Sequence, residues 1–175
     1  MGHSTRTIVE FADLLKESRV DLVVDVRSMP RSRTNPQFNG ESLPEALAAW
    51  QISYEHIVEL GGLRGKARGA EPSPNAYWRV RGFRNYADYA LTKPFSTGLA
   101  RLREIGGQNR CAIMCAEAVW RRCHRRIIAD YLLSQGKRVM HILGPAQIDE
   151  ASLTPGAIVC GDGRIIYPAE SPRLE

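Results

Sequence analysis

The run at residues 20–26, VDLVVDV, constrains the fold more than any other part of the chain. It is short, almost entirely apolar and rich in β-branched residues, which is typical of a strand buried on both faces of a sheet. Strands of this kind belong to parallel sheets, whose crossover connections place helices on the two faces. The run therefore predicts a buried strand of a mostly parallel sheet.

Helical and strand-like patterns alternate along the rest of the chain. Helices are predicted at residues 7–18, 42–50, 83–91, 94–105 and 120–135; Ser42 and Glu45 form a capping-box pattern, and Gly136 closes the last helix. Further strands are predicted at 52–58, 110–115 and 138–143, and a hairpin at 157–160 and 164–167 is joined by Gly-Asp-Gly. This order predicts a single α/β domain over residues 1–175, with a mostly parallel sheet, helices on both faces and a C-terminal hairpin.

The composition indicates the class of protein and the compartment in which it is expected. Hydrophobic residues make up 43% and charged residues 25% of the chain, which are ordinary values for a soluble globular protein. Because no apolar run approaches about 18 residues, no membrane span is predicted, and the N-terminus lacks the apolar core of a signal peptide. The four cysteines do not make a small disulfide framework, so a reduced, cytoplasmic setting is expected.

The net charge of +5 favours an anionic partner. Two loops longer than about 12 residues are predicted, at 28–41 and 59–76, and loops of that length are uncommon unless they are functional. Both loops and the segment after them carry arginines, namely Arg31, Arg33, Arg64, Arg68, Arg79, Arg81 and Arg84. Guanidinium groups bind phosphate and carboxylate in a bidentate manner. The alternative for any single arginine is a solvated basic surface.

Aromatic and amide side chains accompany these arginines. Arg31, Arg33, Asn35 and Phe38 share the first loop, and Phe83, Arg84 and Tyr86 follow each other closely. Aromatic rings interleaved with arginine and asparagine suit stacking on nucleic-acid bases while phosphates are held. The alternative is that Phe38 and Phe83 anchor their loops on the core.

Polar groups close two of the predicted strands. Asp25 and Arg27 follow one strand, and Cys115 and Glu117 follow another. Because the carboxyl ends of parallel strands lie at one edge, where open α/β sheets bind ligands, these side chains are expected to converge. A carboxylate beside an arginine stays ionised and could orient a water molecule. The alternative is a salt bridge between Asp25 and Arg27 that fixes the loop.

Cys115 lies just ahead of the helix predicted from Trp120. The helix dipole and nearby arginines are expected to lower the pKa of its thiol. Cys115 and Arg121 also match the Cys-x5-Arg spacing of rhodanese and phosphatase loops. Against a nucleophilic role, residues 116–120 contain no glycine that would let successive amides cradle an anion, and a cysteine at a strand end is more often part of the core.

His124 has helical spacing with Ile127, Ile128 and Tyr131, which fits either an acid–base role or a core histidine. Cys115, Glu117, Cys123 and His124 are all of metal-ligand type. However, Cys123 and His124 would diverge by about 100° on the predicted helix, and the chain has no Cys-x2-Cys pair. No metal site and no cofactor are predicted.

Seven short motifs occur in order along residues 2–125. They are Gly2-His3-Ser4, Asp25-Val26-Arg27, Pro30-Arg31-Ser32, Asn35-Pro36-Gln37-Phe38, Leu60-Gly61-Gly62, Cys115-Ala116-Glu117 and Cys123-His124-Arg125. Together they resemble the bacterial and archaeal family called domain of unknown function 488, over about residues 2–143, with residues 144–175 as a C-terminal extension. In that family Gly-His-Ser follows a short apolar strand. That strand is missing before Met1, so either the start is truncated or the sheet lacks an edge.

These patterns lead to one main hypothesis and two alternatives. The main hypothesis is a protein that binds or processes nucleic acid, of the DNA-repair or base-processing type; if it is an enzyme, the expected class is a hydrolase or glycosylase. One alternative is a thiol-dependent, rhodanese-like enzyme that uses Cys115 on a sulfur-containing or small anionic substrate; the other is a non-catalytic binding module. The predicted catalytic residues are Asp25, Cys115, Glu117 and His124, and the predicted ligand-binding residues are His3, Ser4, Arg27, Arg31, Arg33, Asn35, Phe38, Arg84, Tyr86 and Arg125.

Overall fold

A three-stranded parallel sheet forms the centre of the computed structural model, which describes residues 1–66 and 72–169. Its strands are β1 (Leu22–Asp25), β2 (Ser53–His56) and β3 (Cys111–Met114), in the order β2-β1-β3. All four residues of β1 are buried, because the strand has a neighbour on each side and helices above and below. The parallel α/β fold that the sequence predicts is confirmed.

Within residues 1–66 and 72–169, five helices cover the two faces of this sheet: α1 (Ile8–Glu17), α2 (Leu43–Ala48), α3 (Arg81–Ala90), α4 (Lys93–Gly106) and α5 (Arg125–Ser134). The side chains of β1 alternate between the faces, as a strand requires. Val24 packs in one hydrophobic core with residues of α3, α4 and α5. Val23 packs in a second core with residues of α1 and α2. Among the described residues, no helix is both long and apolar enough to span a membrane.

In the part of the chain that the structure describes, two antiparallel hairpins follow the sheet. The strand predicted at 138–143 exists as β4 (Met140–Gly144), but it pairs with β5 (Gln147–Glu150), for which the sequence made no prediction. The C-terminal hairpin is confirmed as β6 (Ile158–Val159) and β7 (Ile165–Ile166). Tyr167, just after β7, is fully buried and its hydroxyl donates to Asp130 Oδ2 of α5 at 2.9 Å. The extension therefore packs directly against α5.

The helix predicted to begin at Trp120 begins instead at Arg125. Residues Trp120–Arg122 form a single 3₁₀ turn, and Cys123 is extended, with φ −125° and ψ 144°. The extended residue turns the Cys123 side chain inward, where it is 3% exposed. The helix therefore does not extend through residues 120–124, although their apolar spacing is helical, because Cys123 takes an extended conformation that buries its thiol. The predicted end of the helix is confirmed, since Gly136 follows it with φ +72°.

The predicted capping box at Ser42 is wrong. The Ser42 hydroxyl donates to the carbonyls of Pro36 and Asn39, so it does not cap α2. A capping box does occur at the start of α1, where Thr7 Oγ1 accepts from Glu10 N at 3.2 Å and Glu10 Oε2 accepts from Thr7 N at 2.7 Å. The loop that precedes α2 competes for the Ser42 hydroxyl, which explains the difference.

The first residues lie beside the carboxyl end of β3. Gly2 forms a parallel bridge with Cys115. His3 N donates to Cys115 O at 2.9 Å, and Ser4 N donates to Ala116 O at 3.0 Å. These bonds fix the Gly-His-Ser motif at the edge of the sheet, next to the loop that joins β3 to α5.

Candidate functional site

A cavity of about 290 Å³ opens beyond the carboxyl ends of β2 and β3, on the face covered by α3 and α5. Its walls come from the loop after β2, the start of α3 and the loop between β3 and α5. The lining residues are Gly62, Val80, Gly82, Phe83, Cys115, Glu117, Arg122, Cys123 and His124. This position agrees with the usual ligand-binding edge of an open α/β sheet.

A larger cavity of about 570 Å³ lies at the opposite end of β3 and beside β4. Apolar side chains and the arginines Arg103, Arg110 and Arg138 line it. None of the site residues predicted from the sequence lies there. The smaller cavity, which we call the thiol pocket, is therefore the candidate site, because the reactive side chains line it.

Strand register divides the predicted site between the two faces of the sheet. Asp25 pairs with Met114, so these two side chains share the face of α1 and α2. Cys115 is the next residue after Met114 and turns to the other face, where it packs with the core of α3, α4 and α5. The expected convergence of Asp25 with Cys115 and Glu117 in one cleft is therefore wrong, although all three residues lie near the same edge.

Asp25 and Arg27 form a buried ion pair. Asp25 is 0% and Arg27 6% exposed, and Arg27 Nη2 lies 2.5 Å from Asp25 Oδ2. The carboxylate also accepts from the Arg27 backbone N–H at 3.0 Å and from the Tyr54 hydroxyl at 2.8 Å. Arg27 Nη2 in turn donates to Phe38 O at 2.7 Å. This network ties the loop after β1 to the sheet. The pair is thus the salt bridge that the sequence analysis gave as the alternative to a carboxylate that orients a water molecule.

His3 and Phe38 complete the same buried face. Their rings stack with centroids 4.1 Å apart, and they are 1% and 0% exposed. His3 Nδ1 donates to Ser4 O at 2.9 Å, which leaves Nε2 as an acceptor 3.3 Å from Arg27 Nη1. Burial lowers the pKa of His3 to about 4. Phe38 has no exposed ring face to offer a base.

Two thiols and an imidazole meet at the floor of the thiol pocket. One potential ligand atom from each of Cys115, Cys123 and His124 lies within 4.8 Å of the others. Arg125 Nε donates to Cys123 Sγ at 3.1 Å, and His124 Nδ1 lies 3.6 Å from the same sulfur. Both thiols line the pocket, and Cys115 is partly exposed whereas Cys123 is buried.

The two thiols shift each other's pKa in opposite directions. A hydrogen bond from Cys115, together with His124 and the charge of Arg125, lowers the pKa of Cys123 despite its burial. The same hydrogen bond to Cys123, and burial, raise the pKa of Cys115. The sequence-based expectation of a lowered pKa at Cys115 is thus reversed. The helix dipole does not oppose this change, because α5 begins at Arg125 rather than just after Cys115, and the charge of Arg125, which lowers the pKa of Cys115, is outweighed.

The imidazole of His124 is held from three sides. Its Nε2 donates to Val26 O at 2.8 Å, across the gap between α5 and β1. The Tyr86 ring lies 4.9 Å away between centroids, and Tyr86 is itself fixed by a 2.8 Å bond from its hydroxyl to Leu60 O. Gly62 covers the ring so closely that a Cβ there would lie 2.2 Å from Nδ1. The Leu60-Gly61-Gly62 and Cys123-His124-Arg125 motifs therefore meet in space.

The model of one protein family, Domain of unknown function DUF488, matches residues 7–132. The chain belongs to the DUF488 family. The match includes every motif quoted above except Gly2-His3-Ser4, which lies just before it. Comparison of this DUF488 chain with curated proteins and with solved structures gave no match.

Glu117 and Arg125 lie in the loop and helix start that flank the thiols of the DUF488 domain. Glu117 is exposed and lines the pocket, and its Oε1 accepts from Val119 N at 2.9 Å. Arg125 is 2% exposed, and besides Cys123 it donates to the backbone carbonyl of Glu117. Arg125 therefore fixes the shape of the loop, while Glu117 keeps a carboxylate at the pocket mouth.

The predicted ligand-binding residues of the DUF488 domain separate into buried and exposed ones. Tyr86 is 0% exposed, and Arg84 is half-buried and donates to Trp78 O at 3.0 Å. Arg31 and Arg33 are exposed, and Arg31 pairs with Glu41 at 2.6 Å. Asn35 is half-buried at the start of a 3₁₀ turn. Tyr86 is therefore closed to a ligand, whereas Arg31 and Arg33 are exposed and Asn35 and Arg84 are partly exposed.

The structure adds arginines to the site that were not among the predicted ligand-binding residues. Arg122 lines the pocket, and Arg79 and Arg81 are exposed beside the lining residue Val80. Arg64, in contrast, stacks on Tyr89 at 3.8 Å and donates to backbone carbonyls, so it braces its loop. Arg68 lies outside the described residues. The Cys123-His124-Arg125 motif could have indicated the thiol pocket. It did not, because a helix over residues 120–135 would point the side chains of Cys123 and His124 in different directions.

Proposed function

We propose that this chain binds nucleic acid at the carboxyl edge of its parallel sheet, over the thiol pocket. The observation that carries the proposal is a group of exposed arginines at the pocket: Arg122 lines it, and Arg79 and Arg81 flank the lining residue Val80 in the chain. No carboxylate pairs with any of these three among the described residues. Free guanidinium groups bind phosphate oxygens in a bidentate manner.

The start of α3 adds to this positive field. α3 begins at Arg81, and Val80 provides no side-chain cap for it. The first amide groups of an uncapped helix remain available to an anion, and the helix dipole favours negative charge there. Phosphates that approach the pocket mouth thus meet both amide and guanidinium donors.

Phe83 is the aromatic residue that can contact a base. Phe38 and Tyr86 are buried, but Phe83 lines the pocket and is partly exposed. Its ring is held by stacking on Trp78, with centroids 5.0 Å apart. A cavity of about 290 Å³ lies near the lower end of the range for small-molecule sites. This size suits a single nucleobase unit rather than a large ligand.

Within this proposal Glu117 is the residue that processes the bound nucleic acid. It is the carboxylate that lines the pocket, whereas Asp25 is occupied by Arg27 and Tyr54 on the other face. A carboxylate there can orient a water molecule toward a flipped base. The four cysteines are free thiols, which fits a reducing, cytoplasmic setting for this activity.

Thiol chemistry at Cys115 is a less favoured function. The pKa of Cys115 is raised by its hydrogen bond to Cys123 and by burial, so its reactive thiolate form is scarce near neutral pH. Cys123 has the lowered pKa, but it is 3% exposed and accepts from Arg125. Neither thiol combines thiolate character with access.

The proposal is tested by fluorescence anisotropy with labelled single- and double-stranded oligonucleotides at about 50 mM salt, where phosphate contacts are strongest. The test variant replaces Arg79, Arg81 and Arg122 by Gln. The control replaces Arg103, Arg110 and Arg138 by Gln, which removes the same charge from the opposite end of β3. We expect at least about tenfold weaker binding in the test variant, and a salt slope smaller by about one per lost phosphate contact.

Two results contradict the proposal: binding that is undetectable for the wild-type protein at about 50 mM salt, or equal losses in the two triple variants. The processing step is checked separately with Glu117→Gln. This variant is expected to keep its affinity and to lose release of the base, measured on the same oligonucleotides by gel electrophoresis. Equal product from wild type and Glu117→Gln would remove Glu117 from the proposal and leave a binding module.

A further inference from the structure

We propose that Cys115, Cys123 and His124 bind one transition-metal ion of the zinc type at the floor of the thiol pocket. The inference rests on the arrangement of these three side chains and is independent of what the arginines bind. The chain has no Cys-x2-Cys motif, which is the usual sequence indication of such a site. The ligands come together only because β3 ends beside the extended residue that precedes α5.

The spacing of the three ligand atoms fits one tetrahedral ion. In structural and catalytic zinc sites, Zn–S is about 2.3 Å and Zn–N about 2.0–2.1 Å, so a sulfur and a nitrogen ligand lie about 3.5 Å apart. His124 Nδ1 and Cys123 Sγ are 3.6 Å apart. Since the atom from Cys115 lies within 4.8 Å of both, small side-chain rotations bring all three to bonding distance.

His124 is already in the tautomer that a metal needs. Its Nε2 faces Val26 O at 2.8 Å, and a carbonyl oxygen only accepts, so Nε2 carries a proton and Nδ1 is the nitrogen that can bind an ion. A carbonyl that holds the far nitrogen of a histidine is the usual outer contact of a metal ligand. The orientation of the imidazole is therefore fixed before any ion binds.

Gly62 leaves the lone pair of His124 accessible. A Cβ at Gly62 would lie 2.2 Å from Nδ1 and only 2.6 Å from both Cγ and Cε1. Such a position is above the plane of the ring, because a point along the in-plane lone pair would be farther from the two carbons. Tyr86 lies 4.9 Å from the imidazole between ring centroids. The in-plane direction from Nδ1 runs toward Cys123 Sγ instead.

The donor set selects the kind of ion. Two thiolates and one imidazole favour zinc and similar borderline-soft ions over magnesium or calcium, which prefer oxygen ligands. Arg125 Nε donates to Cys123 Sγ at 3.1 Å and so supplies an outer hydrogen bond to a ligand sulfur. With two thiolate charges, the site balances a divalent cation.

Three protein ligands leave a fourth position that faces the pocket. Sites with three protein ligands and one open position are characteristic of catalytic zinc, whereas structural zinc has four protein ligands. Glu117 lines the same pocket. A metal ion bound there would act as a Lewis acid and acidify a bound water molecule.

The experiment is a titration of the reduced, metal-free chain of 175 residues with Co²⁺, followed by competition with Zn²⁺. We expect one equivalent of Co²⁺ to give thiolate-to-cobalt charge-transfer and tetrahedral d–d absorption, and Zn²⁺ to abolish both. Cys115→Ser and Cys123→Ser are each expected to weaken binding by at least about 100-fold. Cys160→Ser is the matched control and should bind as the wild type does, because Cys160 lies outside the cluster.

A second measurement uses the wild-type protein alone, so it does not depend on the folding of the variants. Thiols are alkylated with and without Zn²⁺ and located by peptide mass spectrometry. Cys115 and Cys123 should be protected by Zn²⁺, while Cys111 and Cys160 react alike in both samples. Absence of the cobalt bands, or protection that does not distinguish these two pairs of cysteines, overturns the inference.

Discussion

At the scale of single residues, the thiol pocket depends on positions that leave no room for another atom. Gly62 is the tightest of these, because it lies directly over the His124 ring. Its importance comes from close approach rather than from an unusual backbone angle, since its φ is not among the positive values. The sequence around Gly62 does not reveal this packing, because His124 lies 62 positions further along the chain.

Gly62→Ala is expected to destabilise the fold by about 1–3 kcal/mol, the range for an added group in a packed site. The new Cβ would lie 2.2 Å from His124 Nδ1, so either the loop or the imidazole must move. Urea unfolding followed by circular dichroism measures the change. Gly65→Ala is the control, because no atom of the residues that the structure describes lies within 4 Å of a Cβ there. An equal loss in both variants would show that loop flexibility, not contact with His124, is responsible.

At the scale of elements, the sequence predicted which segments are helices and strands better than where each one begins. α1, α3 and α4 occur where helical periodicity indicated them, because each has an apolar stripe that packs on the sheet. The start of α5 was misplaced, because local periodicity does not record that Cys123 must turn inward. Capping was misassigned for a similar reason, since Ser42 is engaged by a loop that the local pattern ignores.

The capping difference gives a direct comparison between two helices. Thr7→Ala is expected to cost about 1 kcal/mol, because it removes the hydroxyl that accepts from Glu10 N at the start of α1. Ser42→Ala should change the free energy of unfolding by no more than about 0.5 kcal/mol, as its hydroxyl makes only long bonds in a loop. Thermal and urea unfolding of the two variants checks the order. A larger loss for Ser42→Ala would contradict the assignment of the cap.

At the scale of the whole molecule, the sheet separates two sets of polar residues. The Asp25–Arg27 pair, with Tyr54 and His3, lies on the face of α1 and α2. The thiols and His124 lie on the face of α3, α4 and α5. One set braces the loop after β1, and the other lines the cavity. Both lie near one sheet edge, which is why their motifs looked like a single site in the sequence.

Global stability is expected to depend on pH through His141. The side chain is 8% exposed, stacks on Trp120 at 3.9 Å and has no hydrogen-bond partner for Nε2 among the described residues. Burial lowers the pKa of His141 from 6.5 to about 4. Between these values the unfolded chain binds the proton and the folded chain does not, so stability falls as the pH drops from 6.5 to 4.

His141→Phe keeps the stacking and removes the titration. Relative to this variant, the wild-type protein should lose up to about 3 kcal/mol between pH 6.5 and 4, from about 1.4 kcal/mol per pKa unit. Urea unfolding at a series of pH values measures the difference. His3 also has a lowered pKa, so the variant retains a part of the slope. Parallel stability curves for the two proteins would rule out His141 as a source of the pH dependence.

The sequence by itself determined the α/β class, the family, most of the elements and the stretch in which the reactive groups lie. These features follow from local periodicity and from motifs that are contiguous in the chain. Tertiary structure decided which of those groups meet. In a strand, successive side chains point to opposite faces, so the pairing of Asp25 with Met114 assigned Asp25 and Cys115 to different faces. Register between strands depends on contacts between residues far apart in the chain, so local patterns do not record it. It places the thiol pocket on one face and the Asp25–Arg27 pair on the other, instead of both in one cleft.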